Sequence, residues 1–178
     1  MTSVHPEQLL GSRRVYEGHV VSLRVDDVEL PSGHRQAREI VEHRGAVAVV
    51  PLIEDDVLLV RQFRRAAGRA LLEIPAGSME AGEEPEACLQ RELAEEIGMR
   101  AGQVTYMVSF YPSPGFLTEV VHVYVAHKLS PHRLDGEEED LEVVRLPVVR
   151  ARALVGQEIV DAKSIIGLLL AQTAEGTS

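Results

Sequence analysis

The 178-residue chain has no tryptophan, three phenylalanines and four tyrosines, so its core has to be aliphatic. A single cysteine, Cys88, excludes an internal disulfide and a Cys-rich zinc site. Long apolar runs are missing as well. The best of them, Ile165 to Ala171, falls far short of the roughly 18 apolar residues of a membrane helix. The opening stretch MTSVHPEQLLGSRR lacks the apolar segment of a secretory signal. A cytoplasmic protein with no membrane partner is therefore expected. Positive charge is scarce too: 18 Lys+Arg stand against 28 Asp+Glu, a net charge of −10. Gripping a nucleic-acid backbone needs a basic face, so no nucleic-acid partner is expected. A phosphate-containing substrate would need a metal, rather than side-chain cations, to neutralise it.

Apolar residues make up 45% of the chain, and its length suits one domain or one domain with an extension. From Gly18 to His43 apolar and polar residues alternate, and Pro31-Ser32-Gly33 turns the chain, which reads as a hairpin. Gly45–Ile53 is continuously apolar and small or β-branched, as expected of a strand covered on both faces. Val57–Phe63, Ala70–Ile74, Val104–Phe110, Glu119–His127 and Leu141–Leu146 read as further strands. Glu84–Ile97 has helical composition, with Pro85 suited to the first turn and Gly98 to the stop. Two more helical segments, Val148–Val155 and Asp161–Thr173, close the chain, the last with Asp161 as N-cap. The expected class is α+β (mixed α/β), a mixed sheet with helices packed on it. Residues 1–43 form an N-terminal extension and hairpin, and residues 44–178 the main domain.

Between Glu73 and Glu96 there are eight glutamates, no aspartate and one basic residue, Arg91. At about 100° per residue, Glu92, Glu95 and Glu96 fall within a narrow arc beside the apolar stripe of Leu89, Leu93 and Ile97. Carboxylates so crowded repel one another, and near a helix C-terminus they also oppose the helix dipole. A cation at this place would relieve both penalties. An acidic solvated helix face is the plain alternative.

The segment Gly77–Met99, GSMEAGEEPEACLQRELAEEIGM, resembles the Nudix box. Gly77, Glu83, Arg91, Glu92, Leu93, Glu95, Glu96, Gly98 and Met99 fill its restricted positions at the required spacing. The resemblance implies an α/β/α sandwich around a mixed sheet and hydrolysis of a nucleoside diphosphate linked to another group. It further implies Mg²⁺ as cofactor, with Mn²⁺ as a possible substitute. Glu92 and Glu96 become the expected metal ligands, with Glu95 close by and the Ala76 carbonyl as a further ligand. Arg91 is expected to orient the glutamates, Glu83 to pair with Arg91 or support the loop, and Gly77 and Gly98 to provide backbone turns.

Outside the box, the loop Ser113-Pro114-Gly115-Phe116 and the runs Val60-Arg61-Gln62-Phe63-Arg64 and Leu72-Glu73-Ile74-Pro75-Ala76-Gly77 resemble the ADP-ribose pyrophosphatase branch. That branch implies a homodimer with exchanged hairpins. It also implies a general base in a mobile acidic loop, here Glu139 or Glu137, with Gly136 as a hinge. Arg64 is a candidate for phosphate or terminal ribose, and Glu119 for a sugar hydroxyl. Adenine would stack on one of Tyr16, Phe63, Tyr111 or Phe116. Each has a plain alternative: an ordinary turn for Ser113–Phe116, a solvated loop for 135–140, a surface arginine, a solvated strand edge. The competing functions are hydrolysis of another nucleoside diphosphate sugar, such as GDP-mannose, and nucleotide binding without turnover.

Overall fold

A computed structural model describes residues 5–132 and 140–174. Glu137, Glu139 and Gly136 lie outside the described residues. The chain divides into two compact units, one running up to Arg44 and including Tyr111–Val120, the other comprising the rest.

The first unit is an antiparallel sheet of β1 (Gln8–Glu17), β2 (Ser22–Glu29) and β3 (Arg35–Glu42) in the order β1-β2-β3. The alternating pattern predicts a two-stranded hairpin here; the structure adds β1 as a third strand. Register shifts between Leu9 and Gly11 and between Arg14 and Tyr16 break its two-residue period, which hides it from pattern reading. The Ser113–Phe116 loop belongs to this unit. The Val41 N–H donates to the Phe116 carbonyl (2.7 Å) and the Thr118 N–H to the Val41 carbonyl (3.0 Å), so the loop continues the sheet from β3.

The second unit is a seven-stranded mixed sheet. Its strands are β4 (Ala46–Ile53), β5 (Asp56–Arg64), β6 (Arg69–Glu73), β7 (Ala76–Ser78), β8 (Met99–Phe110), β9 (Val121–Pro131) and β10 (Leu141–Pro147). The path runs β10-β5-β4-β9-β8, with β6 on β5 and β7 on β4; β4 and β9 are parallel, the other pairs antiparallel. Strand β4 shows why its sequence is apolar throughout. Val47 and Val49 face a core layer with Leu89 and Leu93 of helix α1 (Pro85–Ile97). Ala46, Ala48, Val50 and Leu52 face the opposite layer, with Val148 and Ala151 of α2 (Val148–Ala153) and Leu168 of α3 (Ala162–Ala174). The result is an α/β/α sandwich with an aliphatic core. Strand β7 has no counterpart among the strands read from the sequence, and β8 starts at Met99 rather than Val104 because its first residues pair with the end of β9, Met99 opposite Pro131.

Candidate active site

Helix α1 begins with Pro85 in its first turn and ends at Gly98, whose left-handed backbone (φ 65°) directs its N–H back to the carbonyls of Leu93 and Ala94. Leu89, Leu93 and Ile97 bury the helix against β4 and β9. Gln90 pins it to β8 by donating to the Ala101 carbonyl (2.9 Å) and accepting from the Ala101 N–H (3.0 Å). So held, the helix carries Glu92 and Glu96 into semi-dry surroundings, 8% and 7% exposed. Burying two carboxylates one turn apart costs free energy unless they are paired or bind a cation.

Strand β7 meets them. The Ala76 N–H donates to Glu96 Oε2 at 2.9 Å. Gly77 packs so tightly on Glu92 that a Cβ there would overlap its carboxylate. At this place backbone and carboxylate oxygens are the donors available, hard ligands that suit a hard divalent cation. Among the described residues, no three His, Cys, Asp or Glu side chains already form a coordination shell.

Arg91 sets the local charge balance. Its Nε and Nη2 bind the two oxygens of Glu83, both at 3.0 Å, while Nη1 donates to Glu92 Oε1 (2.7 Å) and Glu95 Oε2 (3.0 Å). One guanidinium therefore relieves part of the repulsion among these carboxylates. The Arg91 fork holds the Glu83 carboxyl well below its usual range, at about 2. Glu83 also accepts from the Glu80 N–H (2.8 Å), which closes the loop leading into the helix. Cys88 lies beneath this cluster, buried, with its thiol pushed up to about 12 by desolvation.

Arg64, a candidate phosphate contact by sequence, stands beside Glu73. Its Nε and Nη2 each donate to Glu73 at 2.9 Å, a bidentate clamp on a carboxylate only 2% exposed. Glu73 raises the Arg64 pKa further, with smaller contributions from Glu96 and Asp161. Glu73 also takes a short ion pair from Lys163 at the start of α3. The sequence names Glu73 only within the run Leu72–Gly77 and does not single out Lys163; the two lie 90 residues apart, and Asp161, close to Lys163, reads as a helix cap.

Ser113, Pro114, Gly115, Phe116 and Glu119 fall in the first unit. The Ser113 carbonyl accepts from the Phe116 and Leu117 N–H groups (3.3 and 3.0 Å), a local turn. Glu119 Oε1 stands 3.6 Å from His43 Nδ1.

Residues 42–164 match the model of the NUDIX domain. The chain belongs to the Nudix family. Residues 7–41 match the nucleoside diphosphate sugar hydrolase N-terminal domain. An ADP-ribose pyrophosphatase of Bacillus subtilis (strain 168) is 42% identical over 175 residues, 95% of this chain and 94% of the relative. A methanol dehydrogenase activator of Bacillus methanolicus is 38% identical over 98% of this chain and 97% of its own length. A GDP-mannose pyrophosphatase of Citrobacter koseri is 35% identical over 74% of this chain and 75% of its own length. The crystal structure of an ADP compounds hydrolase superposes with a TM-score of 0.89 at 25% identity, covering 100% of this chain and 99% of that one. Nudix hydrolases generally use a divalent metal, and the hard-oxygen donors around Glu92 and Glu96 fit one. Among the described residues, no helix of this Nudix protein is long and apolar enough to cross a membrane.

Proposed function

We propose that this Nudix protein hydrolyses the pyrophosphate bond of ADP-ribose, with Mg²⁺ (or Mn²⁺ in its place), to AMP and ribose 5-phosphate. The observation that carries the reading is the pair of buried carboxylates, Glu92 and Glu96, pressed against the β7 backbone at Ala76 and Gly77. Glu92, Glu96, Glu95 and the Ala76 carbonyl would hold the metal, and a cation held there would supply polarisation of the phosphoryl oxygens and a more acidic water. Arg91 keeps Glu92 and Glu95 in place, and Glu83 in turn fixes Arg91.

Water adds to one phosphorus, the bridging P–O bond breaks, and both products leave as phosphomonoesters. Glu139, or Glu137 in its place, takes the proton from that water as general base. Arg64 offers Nη1 to a phosphate or to the terminal ribose. Ser113, Pro114, Gly115, Phe116 and Glu119 contact the rest of the nucleotide sugar. The working division of labour is an N-terminal extension, 1–43, that pairs with a second copy in a homodimer, and a catalytic domain, 44–178. The proposed location is the cytoplasm.

A second reading, GDP-mannose hydrolysis, is favoured by the relatives that bear that name. Incubation with Mg²⁺ and a panel of ADP-ribose, GDP-mannose, diadenosine polyphosphates and a deoxynucleoside triphosphate separates them by released phosphomonoester. Preference for ADP-ribose is expected. Preference for GDP-mannose would replace the substrate and keep the chemistry, while turnover of none would point to a nucleotide-binding module.

A further inference from the structure

The start of α3 is tied to the segment preceding Ala76 by a closed ring of hydrogen bonds. The Ile74 N–H donates to Ser164 Oγ (2.8 Å), and Ser164 Oγ donates to Asp161 Oδ1 (2.8 Å). Lys163 Nζ donates to the same Asp161 oxygen (2.8 Å) and to Glu73, the residue before Ile74. The Ser164 N–H also reaches Asp161 Oδ1 (3.2 Å), so Asp161 caps the helix as well as closing the ring. Ser164 is fully buried and Glu73 nearly so. One turn further on, a Cβ at Gly167 would stand 2.9 Å from Ile74 Cδ1 and 3.0 Å from Val50 Cγ2, so the helix approaches as closely as it does because no side chain intervenes.

Ordinary packing of a C-terminal helix requires none of this. A leucine stripe would bury the same face without carrying a lysine, an aspartate and a glutamate into a region where leaving one of them unpaired is expensive. The ring converges on Glu73 and Ile74. Two residues later the chain presents Ala76, whose N–H binds Glu96. The same Glu73 carboxylate fixes the Arg64 guanidinium.

We propose that Lys163, Asp161 and Ser164 are positioning residues for the candidate metal site: through Glu73 and Ile74 they set the place of the Ala76 backbone and of Arg64 relative to Glu96. They touch neither metal nor substrate. The inference rests on the reading of Ala76 and Glu96 as part of that site. A misplacement of about 1 Å is enough to cost on the order of a hundredfold in rate.

The test compares Ser164→Ala and Lys163→Met in the full-length protein with Lys163→Arg and with Leu154→Ala, a core truncation outside the ring. Hydrogen exchange of the Ala76 amide is read relative to that of Leu59 in β5, which reports global opening. Mn²⁺ binding to the free protein and ADP-ribose kinetics are measured alongside. Ser164→Ala and Lys163→Met are expected to speed Ala76 exchange relative to Leu59 about tenfold and to weaken Mn²⁺ binding by a similar factor. In turnover kcat falls and the Mg²⁺ requirement rises, and KM for ADP-ribose rises as well because Arg64 shifts with Glu73. Lys163→Arg restores most of each, and the double variant is no worse than the poorer single one, because either break opens the same ring. Leu154→Ala lowers the melting temperature while leaving the exchange ratio and Mn²⁺ affinity alone. An unchanged Ala76 ratio in both Ser164→Ala and Lys163→Met overturns the inference. Should the wild type bind no Mn²⁺ and turn over no ADP-ribose, the proposed function fails, and the Ala76 ratio still decides whether the ring positions this segment.

Discussion

Gly77 lies so close to the Glu92 carboxylate that no side chain fits between the β7 backbone and the acidic helix. This contact lets a buried carboxylate sit directly against main-chain atoms. Gly77→Ala should therefore displace Glu92 or push β7 off β4, at a cost of about 1–3 kcal/mol typical of overpacking. Metal-dependent turnover should fall more than stability does. Paired thermal melts and Mg²⁺ titrations check this; an alanine variant with wild-type turnover would show that Glu92 is free to move without loss.

Arg91 serves three carboxylates at once, Glu83, Glu92 and Glu95. In Arg91→Ala their mutual repulsion is no longer offset, and stability should drop by about 2 kcal/mol, less than for a fully buried pair because the site is partly solvated. Divalent cations then become the remaining counter-charge, so Mg²⁺ should raise the melting temperature of the variant by more than it raises that of the wild type. Equal shifts in the two proteins would contradict the assigned role.

The Glu83 carboxyl, held at about 2 by the Arg91 fork, predicts a limb in the pH dependence of stability. Its folded pKa lies below the ordinary value of 4.5, so its contribution is fully present above 4.5 and is lost as pH falls from 4.5 towards about 2. Glu83→Gln should flatten that limb of the unfolding free energy while lowering stability at neutral pH. Chemical denaturation at closely spaced pH values reads both. An unchanged acid limb in the variant would mean that other carboxylates account for it.

Cys88, buried under the same cluster with a thiol pushed up to about 12, should resist alkylation in the native protein at pH 8 and react only on unfolding. Mass spectrometry after iodoacetamide treatment, with and without denaturant, tests this. Rapid modification of the native chain would show that the base of the helix opens.

The parts of the molecule legible in the sequence are those set by local periodicity. Strand β4 announces itself because both its faces are buried, which leaves no polar residue anywhere in GAVAVVPLI. The carboxylates of α1 are legible because helical spacing alone brings Glu92, Glu95 and Glu96 together. Features that depend on distant partners were not. Strand β1 is masked by its two register shifts, and the three residues of β7 exist as a strand only through pairing with β4. Arg64 reads as an open cation until Glu73 is placed on its fork and Lys163 arrives from α3 to share that carboxylate. No spacing rule connects Glu73 with Lys163, since the link exists only in the folded sandwich.

The proposed hydrolysis depends on Glu92 and Glu96 holding a divalent cation, and the most direct measurement is AMP release from ADP-ribose as a function of Mg²⁺ in wild type and Glu96→Gln. The wild type should be silent in EDTA and recover with Mg²⁺. The variant should keep its fold, since glutamine can still accept the Ala76 N–H bond, and lose at least about a hundredfold in turnover at every Mg²⁺ concentration. Wild-type turnover that persists in EDTA, or a Glu96→Gln protein as active as its parent, would contradict it.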